Sequence, residues 1–96
     1  MRTVIEDTSV TEKVEAAKLR WLRADDAWNV VSWVVARDPT LGVAITESGN
    51  TRTFTYDGVQ SIKMPTITVV YEITTTTVVI RDVDFQDAKY VHSGRG

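Results

Sequence analysis

The spacing of apolar residues changes at Asp38-Pro39, and this change most constrains what the 96-residue chain can fold into. Before this dipeptide, apolar residues recur at helical intervals; beyond it, they alternate with threonine and charged residues at a period of two. Helices followed by a run of strands are typical of the α+β class, in which helices cover one face of an antiparallel sheet. We therefore expect an α+β fold.

The first helix is predicted over residues 10–22. Its apolar side chains recur at intervals of three and four, and Ser9 stands three residues before Glu12 as in a capping box. In that motif each side chain bonds a free backbone N–H at the start of the helix. The apolar stripe consists of Val10, Val14, Ala17, Trp21 and Leu22.

A second helix is predicted over residues 27–36. Asp25 or Asp26 is suited to cap it, and Asp38-Pro39 stands where a helix would end. Four valines would also suit a strand, but the caps favour a helix. Because few residues join the two helices, we expect an antiparallel helix hairpin. Its apolar side chains lie on nearly every face, which predicts burial on more than one side.

Strands are predicted before and after the helices. Residues 2–5 form a candidate edge strand, and residues 51–56 alternate threonine with arginine and aromatic side chains. Pro65 divides the long segment 59–73, and the threonines at 74–77 turn the chain into a last strand over 78–85. The predicted order is an N-terminal strand, the helix hairpin and a three-stranded antiparallel meander.

Composition limits the kind of protein. Residues 1–90 are predicted to form a single domain, with a flexible tail at 91–96. The chain has no cysteine, and its 11 basic and 13 acidic residues give a net charge of −2, which disfavours RNA or DNA as a partner. No apolar stretch is long enough to span a bilayer, and the N-terminus lacks a signal core. We expect a cytoplasmic protein with no membrane partner.

Two segments resemble the RelE/ParE superfamily, the toxins of bacterial type II toxin–antitoxin modules. The first is Ala-Arg-Asp-Pro-Thr-Leu-Gly at 36–42, which resembles the join between helices and sheet in that family. The second is the pair of strands Val-Val-Tyr-Glu-Ile at 69–73 and Val-Val-Ile-Arg-Asp-Val at 78–83. The resemblance extends from about Val10 to Tyr90.

The resemblance implies a small toxin that a protein antitoxin neutralises. One branch of the family cuts messenger RNA on the ribosome with basic side chains on the sheet, and the ParE branch acts on DNA gyrase. This chain departs from the pattern at Ile67 and Thr68, where the family often has tyrosine and arginine. After the last strand, only Tyr90 matches the basic segment that the family often has there.

The candidate catalytic residues are few. Metal-independent RNA cleavage needs a base, an acid and cations that stabilise the charged phosphorane. Arg81 and Arg52 are suited to stabilise charge, Lys63 to assist, and Tyr90 or His92 to move protons. Each also has a structural interpretation. The arginines would be solvated strand residues and the lysine would lie at a sheet edge. The tyrosine would be packed on the sheet, and the histidine would belong to a flexible tail. No metal or cofactor site is predicted.

The three tryptophans of the helix pair are the candidate binding residues. Trp21, Trp28 and Trp33 are many for so short a chain, and core packing accounts for one or two of them. Tryptophan is also enriched at interface hot spots, so a surplus apolar face predicts an antitoxin or a second copy as partner. The favoured interpretation is a RelE/ParE-like toxin acting through protein binding. The alternatives are a ribosome-dependent messenger RNA endoribonuclease and a non-toxic interaction or assembly module, with a phage gene as one alternative source.

Overall fold

The α+β class predicted from the sequence is confirmed by a computed structural model, which describes residues 1–89. Two helices lie on a mixed sheet of five strands whose order is β1-β5-β4-β3-β2. Strand β1 is parallel to β5, and the other neighbours are antiparallel. The elements are β1 Thr3–Glu6, α1 Thr8–Arg20, α2 Ala24–Arg37, β2 Val43–Ala44, β3 Thr51–Tyr56, β4 Thr66–Ile73 and β5 Thr77–Gln86.

The start of α1 differs from the predicted capping box. The helix begins at Thr8, so Ser9 lies inside it, and Asp7 precedes it without a capping bond from its side chain. Instead, the backbone carbonyl of Asp7 accepts from the N–H groups of Val10 and Thr11. The helix begins early because Asp7 is still bonded to the sheet. Its N–H donates to the carbonyl of Ile80 in β5, so α1 starts directly after β1.

The second helix is longer than predicted. It begins at Ala24, so Asp25 and Asp26 occupy its first turn, where negative charge complements the helix dipole, and do not cap it. It ends at Arg37, before Asp38-Pro39. A 3₁₀ turn, Pro39–Leu41, then leads into β2, a short strand that the sequence analysis did not predict.

The core lies between the helices and one face of the sheet. Alternate residues of β4 and β5 point toward the helices, as the period of two requires. A smaller cluster of Ala17, Trp21 and Ala24 lies where α1 ends and α2 begins. Phe85 packs against both this cluster and the main core. The main cluster contains Val10, Val14, Ala27, Trp28, Val31, Val35, Ile67, Val69, Tyr71, Val78, Ile80 and Val83.

A β-bulge interrupts β5. Val70 pairs with Asp82 and Tyr71 with Ile80, so Arg81 has no partner residue on β4. The extra residue leaves both Arg81 and Asp82 exposed between the buried Ile80 and Val83. Beyond the bulge, β1 has ended and α1 lies beside β5 in its place.

Candidate functional site

Arg81 lies at the bulge and contacts two carboxylates. Its Nη1 is 3.3 Å from Oδ1 of Asp7, and its Nη2 donates to Oε1 of Glu72 over 2.7 Å. The bond to Glu72 raises the pKa of Arg81 above its already high ordinary value. The guanidinium therefore links the end of β1 to β4 across β5. The two carboxylates offset the positive charge of Arg81, which would otherwise attract a phosphate.

Arg52 is bonded to backbone carbonyls. Its Nε donates to Gly49 over 2.9 Å, and its Nη1 donates to Gly42 over 2.8 Å and to Thr40 over 3.2 Å. These contacts hold the 3₁₀ turn and β2 against the start of β3. The side chain therefore stabilises a chain reversal.

The two arginines lie on opposite faces of the sheet. Arg52 alternates in phase with Phe54 and Tyr56, whose side chains pack against the core. Arg81 bonds Glu72, which neighbours the core residue Tyr71 on β4 and so lies on the other face. The structure does not bring the two guanidinium groups into one site.

Lys63 lies apart from both arginines, in the connection between β3 and β4. It ends the 3₁₀ turn Gln60–Ile62 with a φ of 60°, and its carbonyl accepts from the N–H of Arg23. The exposed Lys63 side chain lines a cleft of about 210 Å³ with Trp21 and Asp87. The other two candidates, Tyr90 and His92, lie outside the described residues, as does the predicted tail 91–96.

The three tryptophans occupy different environments. Trp21 is buried and donates from Nε1 to Asp87 over 2.8 Å, and Trp28 is buried and donates to Glu6 over 3.2 Å. Trp33 is 50% exposed, with the guanidinium of Arg37 lying 4.9 Å from its ring centroid. Of the predicted binding residues, Trp33 alone therefore offers a large surface to a partner.

A second apolar surface lies at the β2 edge of the sheet. Leu41, Val43 and Ile45 are 54%, 69% and 53% exposed, and they are spaced two residues apart. Strand β2 pairs with β3 on one side, and no strand of the described residues lies on its other side. We call these three residues the β2-edge surface. Sequence reasoning missed it, although the apolar residues at alternate positions 41, 43 and 45 were the available signal.

Two further clefts lie on the described part of the chain. One groove of about 290 Å³ runs between α1 and β5, and a cleft of about 350 Å³ lies between Asp57 and Lys89. Within residues 1–89 no group of His, Asp and Glu is placed to bind a metal ion. Every buried side-chain nitrogen or oxygen in that range has a hydrogen-bond partner, so none is left aimed at a ligand.

Neither helix of the described chain is both long and apolar enough to cross a membrane.

Comparisons with known proteins identify no relative of this chain. No family model matches the chain, and searches of curated proteins and of solved structures find no match either.

Proposed function

We propose that this chain is a RelE/ParE-type toxin that inhibits growth by binding a protein, and that a protein antitoxin neutralises it. The order of its elements supports the likeness: a strand, two successive helices, and then the antiparallel neighbours β3, β4 and β5. The segments that resemble the family lie at the helix–sheet join and in the paired strands β4 and β5.

The observation that carries the binding function is the exposed β2-edge surface. Three large apolar side chains stand in water at the edge of a sheet, where an extended segment of a partner can add as a further strand. Such an edge invites association unless it is covered or charged. Leu41, Val43 and Ile45 are the residues that a partner would bury.

The state of the basic residues argues against RNA cleavage as the main activity. Arg81 is paired with two carboxylates, Arg52 is bonded to three carbonyls, and the two lie on opposite faces. Positioned cations are what stabilise a phosphorane, and a site needs them together.

Inducible expression in a bacterial host tests the proposal. We expect the parent chain to arrest growth, and Val43→Lys with Ile45→Lys to relieve the arrest. A charge that is buried in an interface without a partner should weaken binding more than tenfold, and a tenfold change in affinity corresponds to ~1.4 kcal/mol. Leu19→Lys, at an exposed apolar position on α1, is the matched control and should remain toxic.

Arg81→Ala separates binding from cleavage. Because its guanidinium pairs with the partly exposed carboxylates of Asp7 and Glu72, the variant should keep the circular dichroism spectrum and the toxicity of the parent, and ribosome-bound messenger RNA should stay intact. Relief of the arrest by this variant, with the fold preserved, would favour the ribonuclease alternative. A parent chain that leaves growth unchanged would refute the toxin proposal and favour the interaction module.

A further inference from the structure

Four residues form one exposed stripe along α2. Asp26, Val30, Trp33 and Arg37 follow each other at intervals of four, three and four, which places them on one face of a helix. This face is opposite the buried side that carries Trp28, Val31 and Val35, and it exposes Val30 by 39% and Trp33 by 50%. We call these four residues the α2 stripe.

The α2 stripe is complementary to itself. The outer pair, Asp26 and Arg37, carries opposite charges, and the inner pair, Val30 and Trp33, is apolar. Both pairs are centred midway between Val31 and Ser32. When two copies of a helix meet antiparallel across a twofold axis, residues placed symmetrically about the midpoint face each other. The contact would therefore place Asp26 opposite Arg37 of the partner subunit, and Val30 opposite Trp33 of the partner subunit, twice each.

The local contacts of the α2 stripe favour this arrangement. Arg37 lies over the Trp33 ring and so holds both side chains on the outer face of the helix. Asp26 is held by Arg23 at 3.1 Å, but both side chains are about half exposed, so this ion pair is weak and can be exchanged for another. An apolar centre with a charge of opposite sign at each end matches the general anatomy of a protein interface.

We propose that the chain forms a weak twofold dimer in which the α2 stripes of two copies pack antiparallel. Binding to a different protein would not require charges placed symmetrically about an apolar pair, whereas binding to a second copy of this chain requires such symmetry. The helix has 14 residues and is about 21 Å long, so the contact falls short of the ~800 Å² per partner of standard stable interfaces. A micromolar dissociation constant is expected. The dimer uses a different surface from the β2-edge surface and does not depend on the proposed function.

Charge reversal tests the proposed pairing in the full chain. In analytical ultracentrifugation over a wide concentration range, Asp26→Arg and Arg37→Asp should each weaken dimerisation at least tenfold, because each places like charges opposite each other twice. An equimolar mixture of the two variants should recover a heterodimer with about the affinity of the parent, since both charge pairs become attractive again. Failure of the mixture to recover while the parent dimerises would overturn the antiparallel pairing.

Further variants separate the contact from folding. Trp33→Lys should abolish the dimer and keep the far-ultraviolet circular dichroism spectrum, whereas Leu22→Lys, at an exposed position outside the stripe, should leave the dimer unchanged. Asp25→Arg alters the same helical turn as Asp26 but lies off the stripe, so it should also dimerise like the parent. A parent chain that stays monomeric up to about 1 mM, or a Trp33→Lys variant that still dimerises, would refute the proposal.

Discussion

At the scale of single residues, the Tyr71 hydroxyl bonds the backbone of the segment that connects α2 to β2. It donates to the carbonyl of Pro39 and accepts from the N–H of Gly42 over 3.1 Å, in a buried position. Tyr71→Phe leaves both backbone groups without this partner, so we expect the free energy of unfolding to fall by about 1–3 kcal/mol. Urea denaturation of the parent and the variant measures the loss. An unchanged midpoint and slope would show that water replaces the hydroxyl.

The same tyrosine predicts a dependence on alkaline pH. Burial raises the pKa of Tyr71 above its ordinary value of 10.0, so the unfolded chain ionises first. The contribution of Tyr71 is therefore complete below about pH 10 and is lost as the pH rises through the folded-state pKa. The stability advantage of the parent over Tyr71→Phe should shrink above about pH 10. An advantage that stays constant or grows there would contradict the assignment.

Individual side chains also mark where sequence reasoning succeeded and where it stopped. The spacing of the tryptophans could have separated Trp28 from Trp33, since five residues correspond to about 140° around a helix. Which of the two faces the core depends on how α2 lies on the sheet, and local spacing does not contain that information. Arg52 and Arg81 were correctly placed on strands, but their carbonyl and carboxylate partners come from distant parts of the chain.

At the scale of elements, long periodic segments were predictable and short or interrupted ones were not. Strand β2 has two residues, which is too short to show a period. The capping box predicted at Ser9 was wrong, because Asp7, whose N–H donates to the Ile80 carbonyl of β5, precedes the helix and Ser9 lies inside it. In β5, the two polar residues between Ile80 and Val83 break the alternation, and this break was a readable sign of the bulge.

The bulge of β5 gives a prediction about a strand edge. Oδ1 of Asp82 accepts from the N–H of Val83 and from Nζ of Lys13 on α1, both over 2.9 Å. Asp82→Ala should lower the free energy of unfolding by about 0.5–1.5 kcal/mol and speed hydrogen exchange at the Val83 amide. Asp84→Ala is the matched control, because Asp84 lies exposed on the same strand and accepts a side-chain bond from Gln86. Equal exchange rates at Val83 in the two variants would contradict the role of Asp82.

At the scale of the whole molecule, Phe85 connects the two hydrophobic clusters. Its ring centroid lies 6.1 Å from that of Trp21 in the smaller cluster and 6.1 Å from that of Trp28 in the main core. A domain whose clusters share such a side chain should unfold as one cooperative unit. Tryptophan fluorescence and far-ultraviolet circular dichroism should therefore give coincident urea transitions for the parent chain.

Phe85→Ala should break this cooperativity as well as lower the stability. Removing a half-buried ring is expected to lower the free energy of unfolding by about 2–3 kcal/mol, somewhat less than for a fully buried one. Because the Trp21 cluster then loses this link to the core, the transition seen by tryptophan fluorescence should precede the circular dichroism transition. Phe54→Ala is the matched control, since Phe54 is also half-buried but packs on the main core alone. It should lower the midpoint with both probes still coincident, and separated transitions in Phe54→Ala, or coincident ones in Phe85→Ala, would refute the linking role of Phe85.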